Sequence, residues 1–128
     1  IADQAPASKL APANGTFERY QLQEWLTFIG TEVHKNFSPL FNPNMPDVAK
    51  DMARAQLLKR LTWVDQQLAN QDFLMGNQFT VADGYLFTVC GWIDFAKIDV
   101  AHLGNLAKFL SRVGDRPSVQ KAIAEEKQ

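Results

Sequence analysis

The 128-residue chain has few of the residues that specialised sites require: one cysteine, two histidines, and no long run of apolar or like-charged residues. The single cysteine, Cys90, excludes an internal disulfide and favours a reducing compartment such as the cytoplasm. No apolar segment approaches the ~18 residues of a membrane span, so we predict no membrane insertion. The 13 basic and 14 acidic residues form no basic cluster, which disfavours nucleic acid as a partner.

We expect no metal site, because residues that ligate metals are few and scattered. His34 and His102 are the only histidines, there is no Cys-x-x-Cys, and neither histidine has an acidic pair at ligand spacing. A Ser-His-Asp triad stays open on spacing, but no motif points to one. Cys90 lies in an apolar run, where a thiol behaves as a small hydrophobe. Asp65 and Asp94 follow apolar runs and are interpreted as solvated helix positions.

Helical periodicity runs through most of the chain, and no strand-like alternation competes with it. The predicted helices cover about 14 or 16 to 36, 46 to 70, 81 to 93, 99 to 113, and 117 onward. Ser38-Pro39 should end the first, since the residue before a proline avoids helical angles, which leaves a loop from 36 to 46. Leu57, Leu58, Leu61, Val64 and Leu68 should form the buried stripe of the second. We predict an all-α bundle of about five helices.

The N-terminal segment has a different character from the rest of the chain. The chain begins with Ile1 rather than methionine, and its first four residues read like the tail of a helix. Prolines at 6 and 12 then give an irregular stretch typical of a linker. We therefore expect residues 1–13 to be the end of a preceding domain and a linker, and residues 14–128 to be the helical domain of a longer polypeptide.

A reciprocal helix start stands at Thr80, immediately before the most apolar segment of the chain. The Thr80 hydroxyl can accept from the Asp83 amide, while the Asp83 carboxylate reaches back to the Thr80 amide. The helix that follows is apolar almost all round, so other helices should surround it. A hydrophobic staple would pair Phe79 with the residue after Asp83, but that residue is Gly84, so the usual staple cannot form.

One constellation on the first helix suggests a site. Five polar residues recur at steps of three and four and form a stripe beside the apolar face: Glu24, Thr27, Thr31, His34 and Ser38. Gly30 lies next to this stripe, and a glycine inside a helix costs about 1 kcal/mol relative to alanine, which suggests close approach by another group. His34 and Lys35 then offer two cationic donors. The alternative is a solvated flank whose cations complement the helix dipole.

Four segments carry a family resemblance. Thr31 to Phe41, which reads TEVHKNFSPLF, resembles the corresponding segment of the beta class, the bacterial glutathione transferases. Glu24 to Leu26, Thr80 to Thr88 and Asp115 to Gln120 resemble the same class in order and spacing. The similarity covers essentially the whole chain. The capped, apolar helix after a loop is similar to one in the C-terminal domain of cytosolic glutathione transferases, so the resemblance implies that fold.

The resemblance also implies roles for particular residues. His34 and Lys35 would reach glutathione from the helical domain, and Thr27 stands where related enzymes carry an asparagine facing the neighbouring subunit's glutathione. Phe37, Tyr85 and Trp92 would line the pocket for a small electrophile. The alternative for these three is that they are ordinary core aromatics.

The remaining implications concern the whole protein. The resemblance implies a preceding thioredoxin-like domain with the catalytic cysteine and most glutathione contacts, and a homodimer. Because no catalytic residue is then expected in this chain, the chain alone should not conjugate glutathione to electrophiles. The alternative hypothesis is a non-enzymatic helical module that binds a protein partner and no cofactor.

Overall fold

The computed structural model describes residues 1–127 and confirms the all-α fold class. Within those residues the helices are α1 (Phe17–Phe28), α2 (Lys35–Phe41), α3 (Asp47–Gln67), α4 (Val81–Cys90), α5 (Ile93–Ala96), α6 (Gly104–Gly114) and α7 (Pro117–Glu126). A π-helical segment, Ile29–His34, joins α1 to α2, and two 3₁₀ turns, Ala2–Gln4 and Pro6–Ser8, precede α1. No helix over residues 1–127 combines the length and apolar character needed to cross a membrane.

The first helical path is longer than predicted. It continues through Pro39 and ends at Phe41, so the predicted end at Ser38-Pro39 is wrong. Proline inside a helix costs about 3 kcal/mol. However, the turn around Pro39 buries Phe37 and Leu40, and burying one such side chain gains about 1.5–3 kcal/mol. Core packing therefore keeps this segment helical, and the predicted loop is reduced to residues 42–46.

The core lies between the long helices. Four of the five residues predicted for the stripe of α3 are buried: Leu57, Leu61, Val64 and Leu68. Helix α4 packs against α1, the π-helical segment and α6, which confirms that other helices surround it. Cys90, at the end of α4, is buried as predicted, and burial raises the pKa of its thiol to about 12. The thiol therefore stays protonated near neutral pH and acts as a packing group.

The capping box at the start of α4 is confirmed, and it has an additional bond. Asp83 Oδ2 accepts the Thr80 amide at 2.8 Å, while the Asp83 amide faces the Thr80 side chain and donates at 3.1 Å to the Thr80 carbonyl. Asp83 Oδ1 accepts the Leu74 amide at 2.8 Å. Burial raises the pKa of Asp83, and the bonds from Leu74 and Thr80 offset only part of that rise. One carboxylate therefore joins a helix start to the preceding loop.

Phe79, the residue before the Thr80 cap, packs against a glycine, an arginine and a second aromatic ring. A Cβ on Gly84 would lie 3.8 Å from Phe79 Cζ, so the Phe79 ring covers the bare glycine backbone without forming a staple. The Arg116 guanidinium lies 4.0 Å from the centroid of the same ring, and Phe73 meets it edge-on at 5.7 Å. Phe79 therefore joins the cap region to the turn between α6 and α7.

The cap of α6 comes from another helix. Asp99 does not open α6; its Oδ1 accepts the Ala101 amide at 3.1 Å in the turn before that helix, which begins only at Gly104. Asp65 Oδ1, on α3, accepts the Leu106 amide at 2.8 Å, and the Asn105 side chain donates to the Asp65 carbonyl at 3.2 Å. The prediction that Asp65 is a solvated position is therefore wrong.

Asp65→Ala should lower the free energy of unfolding by about 0.5–2 kcal/mol, as loss of a helix cap does. Chemical denaturation followed by tryptophan fluorescence measures this effect. Asp94→Ala is the matched control, because Asp94 is exposed and a surface substitution usually stays within about 0.5 kcal/mol. Equal midpoints for the two variants would contradict the capping role of Asp65.

Residues 1–13 lie against the helical domain through polar contacts. Arg19 on α1 pairs with Asp3 and donates from Nε to the Pro12 carbonyl at 2.8 Å. The Val81 amide, at the first residue of α4, donates to the Leu10 carbonyl at 2.9 Å. The segment is therefore held beside the starts of α1 and α4. Its assignment to the end of a preceding domain stays a prediction.

Candidate functional site

The site residues predicted on the first helix lie where that helix widens. Over Ile29–His34 the backbone forms a π-helix, and the Lys35 amide donates to the Gly30 carbonyl five residues earlier. Such turns are rare and occur frequently at functional sites. The widened turn ends at His34, so it changes the direction of His34 and Lys35 relative to α1. All five members of the polar stripe are exposed, as a binding surface or a solvated flank requires.

His34 contacts the capped helix directly. Its Nδ1 lies 2.6 Å from the Tyr85 hydroxyl, and the two rings meet edge-on with centroids 5.7 Å apart. A Cβ placed on Gly30 would lie 3.6 Å from the same hydroxyl, at ordinary contact distance. Tyr85 is therefore the nearest group to this face of Gly30, but the distance would also accommodate an alanine, so packing does not require the glycine. The packing of α4 on the π-helical segment thus positions His34.

An aromatic surface adjoins His34. The Trp92 ring lies 5.2 Å from the imidazole, 5.6 Å from Phe37 and 5.4 Å from Phe41, measured between centroids. Phe41 in turn stacks on Phe95 at 5.3 Å. Phe37 has no exposed surface, whereas Trp92 is half-buried and the rings of Phe41 and Phe95 are exposed. The structure therefore places Phe37 beneath Trp92, while Tyr85, the third predicted pocket residue, lies on the other side of His34.

Two rings of this surface were not predicted as pocket residues. Phe41 comes four residues after Phe37, and Phe95 comes three residues after Trp92. Residues at these spacings are neighbours on one side of a helix, so the spacing could have identified both. Their exposure gives the site an apolar face that Phe37 does not provide.

The other two predicted glutathione contacts lie at the edge of this cluster or beyond it. Lys35 is exposed, and within residues 1–127 its ammonium group forms no ion pair. Thr27 is exposed about two turns before His34, and its carbonyl accepts the Thr31 hydroxyl at 2.9 Å. In the described part of the chain, Thr27 takes no part in the contacts among His34, Tyr85 and Trp92.

The arrangement combines two kinds of recognition. An imidazole and an unpaired ammonium group can donate hydrogen bonds to an anion, and such charge-assisted bonds are the stronger ones. Beside them, Trp92 and its exposed neighbours can contact an apolar or aromatic molecule. The edge of the domain at the α2 and α5 helices is therefore suited to a ligand with an anionic part and an apolar part.

This chain is similar in sequence to known proteins. Residues 28–117 match the family model described as "Glutathione S-transferase, C-terminal domain". The chain is 40% identical over 126 residues to glutathione S-transferase GstA of Escherichia coli O157:H7, an alignment that covers 98% of this chain and 63% of that protein. The chain thus spans a little under two thirds of the length of this curated relative.

Solved structures give the same match. The helices superpose with a TM-score of 0.97 on the ternary complex of BphK, a bacterial GST, at 50% identity over 99% of this chain and 64% of that one. A sphingomonad glutathione S-transferase complexed with glutathione matches with a TM-score of 0.94 at 42% identity, over 98% and 63% of the two chains. The beta-class glutathione S-transferase of Sphingomonas chungbukensis matches with a TM-score of 0.93 at 42% identity. That match covers 98% of this chain and 62% of the other.

Proposed function

The chain belongs to the family of glutathione S-transferase C-terminal domains and is close to the bacterial beta class, and from this we propose that it works as the helical domain of a glutathione transferase. In the full-length enzyme it would help to position glutathione and supply part of the wall for a small electrophile. The observation that carries the proposal is the edge at which His34, with the exposed Lys35 next to it in the chain, contacts both Tyr85 and Trp92.

On the glutathione side, we assign His34 and Lys35 as donors. Glutathione carries a thiol and two carboxylates, and the His34 ring N–H or the Lys35 ammonium group can donate a hydrogen bond to one of them, which the charge of the acceptor strengthens. A hydrogen bond to a charged group contributes roughly 1.5–3 kcal/mol. Thr27 lies farther along the stripe, and a contact from Thr27 would require the neighbouring subunit's glutathione.

On the electrophile side, the wall is formed by Tyr85 and Trp92, with Phe37 acting through Trp92. Phe37 is completely buried and meets Trp92 edge-on, so its contribution is to support the indole from beneath. Phe41 and Phe95 would extend the wall outward. Electrophiles with flat apolar groups should therefore be favoured over small polar ones.

We further propose that the complete protein adds a thioredoxin-like N-terminal domain and forms a homodimer. The share of the relatives' length that this chain spans supports the first part. A surface group of Trp25, Phe28 and Trp63, whose ring centroids lie 4.8–5.8 Å apart, supplies apolar area that suits a subunit contact. The catalytic cysteine would come from the added domain.

The 128-residue chain by itself should bind glutathione more weakly than micromolar and should not turn over a chromogenic electrophile. The reason is that two cationic donors on one edge leave most of the tripeptide without partners. Isothermal calorimetry and a conjugation assay measure this, with the full-length protein as the positive control. Micromolar binding by the chain alone would move the glutathione site onto these helices.

A further inference from the structure

We infer that Tyr85 is a positioning residue that holds His34 in one tautomer, with the proton on Nε2. The tautomer itself depends only on the contact between the two side chains. The consequence for glutathione rests on the function proposed above. A purely apolar role for Tyr85, as part of the electrophile wall, would need no hydroxyl group.

The contact joins two fixed elements. Tyr85 lies two residues after Asp83, whose buried carboxylate holds the start of α4 through the Thr80 and Leu74 amides. His34 ends the π-helical segment and has the Trp92 ring 5.2 Å from its own. The short distance of 2.6 Å between Nδ1 and the hydroxyl oxygen is therefore set by backbone packing, because both side chains start from ordered helices.

The chemistry of the two groups decides which one donates. A tyrosine hydroxyl can donate or accept, and a neutral imidazole has one nitrogen of each kind. An unprotonated imidazole nitrogen is a much better base than a neutral phenol oxygen, because imidazole accepts a proton with a pKa of about 6.5, whereas a phenol oxygen is protonated only in strong acid. The stronger arrangement has the Tyr85 O–H donating to Nδ1. The bond made by one ring nitrogen fixes the proton on the other, so His34 carries its proton on Nε2.

This assignment gives the hydroxyl a function. With Nδ1 occupied, the ring cannot rotate freely, and its remaining N–H is a donor of fixed direction. A fixed donor loses less entropy when it binds an anion than a ring that exchanges tautomers and orientations. In the proposed enzyme, the Nε2–H would donate to the sulfur or a carboxylate of glutathione.

The test uses the small number of histidines and tyrosines in the chain. With ¹⁵N-labelled histidine, the 128-residue chain shows only the rings of His34 and His102, which His102→Gln assigns. Spectra near pH 8.5, where an imidazole is ordinarily neutral, report which nitrogen carries the proton. The variant is Tyr85→Phe, and Tyr20→Phe is the matched control, because Tyr20 is the other tyrosine and is exposed.

In the unmodified chain, we expect His34 Nδ1 to resonate as an unprotonated, hydrogen-bonded nitrogen. Tyr85→Phe should move both ring shifts of His34 toward the average of a free imidazole, while Tyr20→Phe should leave them unchanged. In the full-length enzyme, Tyr85→Phe should raise KM for glutathione roughly two- to tenfold, the effect of one neutral hydrogen bond, with KM for the electrophile changing less.

Two results would overturn the inference: a proton on Nδ1 in the unmodified chain, or His34 shifts that are the same in Tyr85→Phe. Either result rejects the positioning role even if His34→Ala weakens glutathione use. Conversely, the expected shifts together with unchanged glutathione kinetics in both Tyr85→Phe and His34→Ala would support the tautomer and reject the proposed glutathione contact. The two failures are therefore distinguishable.

Discussion

Asp83→Ala should lower the free energy of unfolding by about 2–4 kcal/mol, the largest stability effect we expect from one polar substitution in this chain. Asp83 has no exposed surface, and its two oxygens accept the Leu74 and Thr80 amides at 2.8 Å each. Truncation removes a helix cap and leaves two buried N–H groups without partners. Each unpaired donor costs about 1–3 kcal/mol, part of which relaxation would recover.

Urea denaturation with Asp115→Ala as the exposed control measures this effect. Thr80→Ala should lose only about 0.5–2 kcal/mol, because it removes the hydroxyl half of the box and leaves the carboxylate bonds in place. The loss of unfolding free energy for Asp83→Asn should fall between those for Asp83→Ala and Thr80→Ala. The asparagine amide keeps one acceptor oxygen but turns its NH₂ group toward the other backbone donor. A midpoint for Asp83→Ala equal to that of the control would reject the dual role of this carboxylate.

The two halves of this cap differ in how far sequence can predict them. The bond between Asp83 and Thr80 spans three residues and follows from local helix geometry, so the pattern predicted it. The bond to Leu74 spans nine residues and depends on the path of a loop. Spacing alone does not specify that path.

Helix ends show the same limit. The local rule that a residue before proline avoids helical angles predicted an end at Ser38, but burial of Phe37 and Leu40 outweighed it. Asp99 was the predicted first residue of the fourth helix, yet the cap of α6 comes from Asp65, 41 residues before Leu106. Local propensity predicted which segments are helical, and tertiary contacts set where these two ends fall.

At the candidate site, sequence predicted the residues better than their partners. Gly30 beside the polar stripe indicated a close approach, but nothing in the spacing identified Tyr85, which is 51 residues from His34. The resemblance supplied Phe37 as a pocket residue, and only the packing shows that it lies beneath Trp92. The glutathione roles of His34, Lys35 and Thr27 stay predictions, so kinetics must test them.

In the full-length enzyme, His34→Ala and Lys35→Ala should each lower kcat/KM for glutathione roughly ten- to hundredfold, which corresponds to the loss of a 1.5–3 kcal/mol charged contact. Both side chains are exposed in this domain, so the unfolding midpoint should change little. His102→Ala and Lys59→Ala are the matched controls, because both are exposed and lie outside the aromatic cluster.

Varying glutathione and the electrophile separately distinguishes the two sides of the site. Trp92→Ala should raise KM mainly for the electrophile and should also lower stability, because the indole packs on Phe37 and Phe41 and its loss leaves a cavity. His34→Ala should change mainly the kinetic parameters for glutathione, since Nε2 of His34 faces away from Tyr85 and is available to an anion.

If His34→Ala and Lys35→Ala both keep wild-type parameters for both substrates, the polar stripe is a solvated flank. The same helices would then be better explained as a protein-interaction module, because an exposed aromatic surface without an anion site is suited to a protein partner.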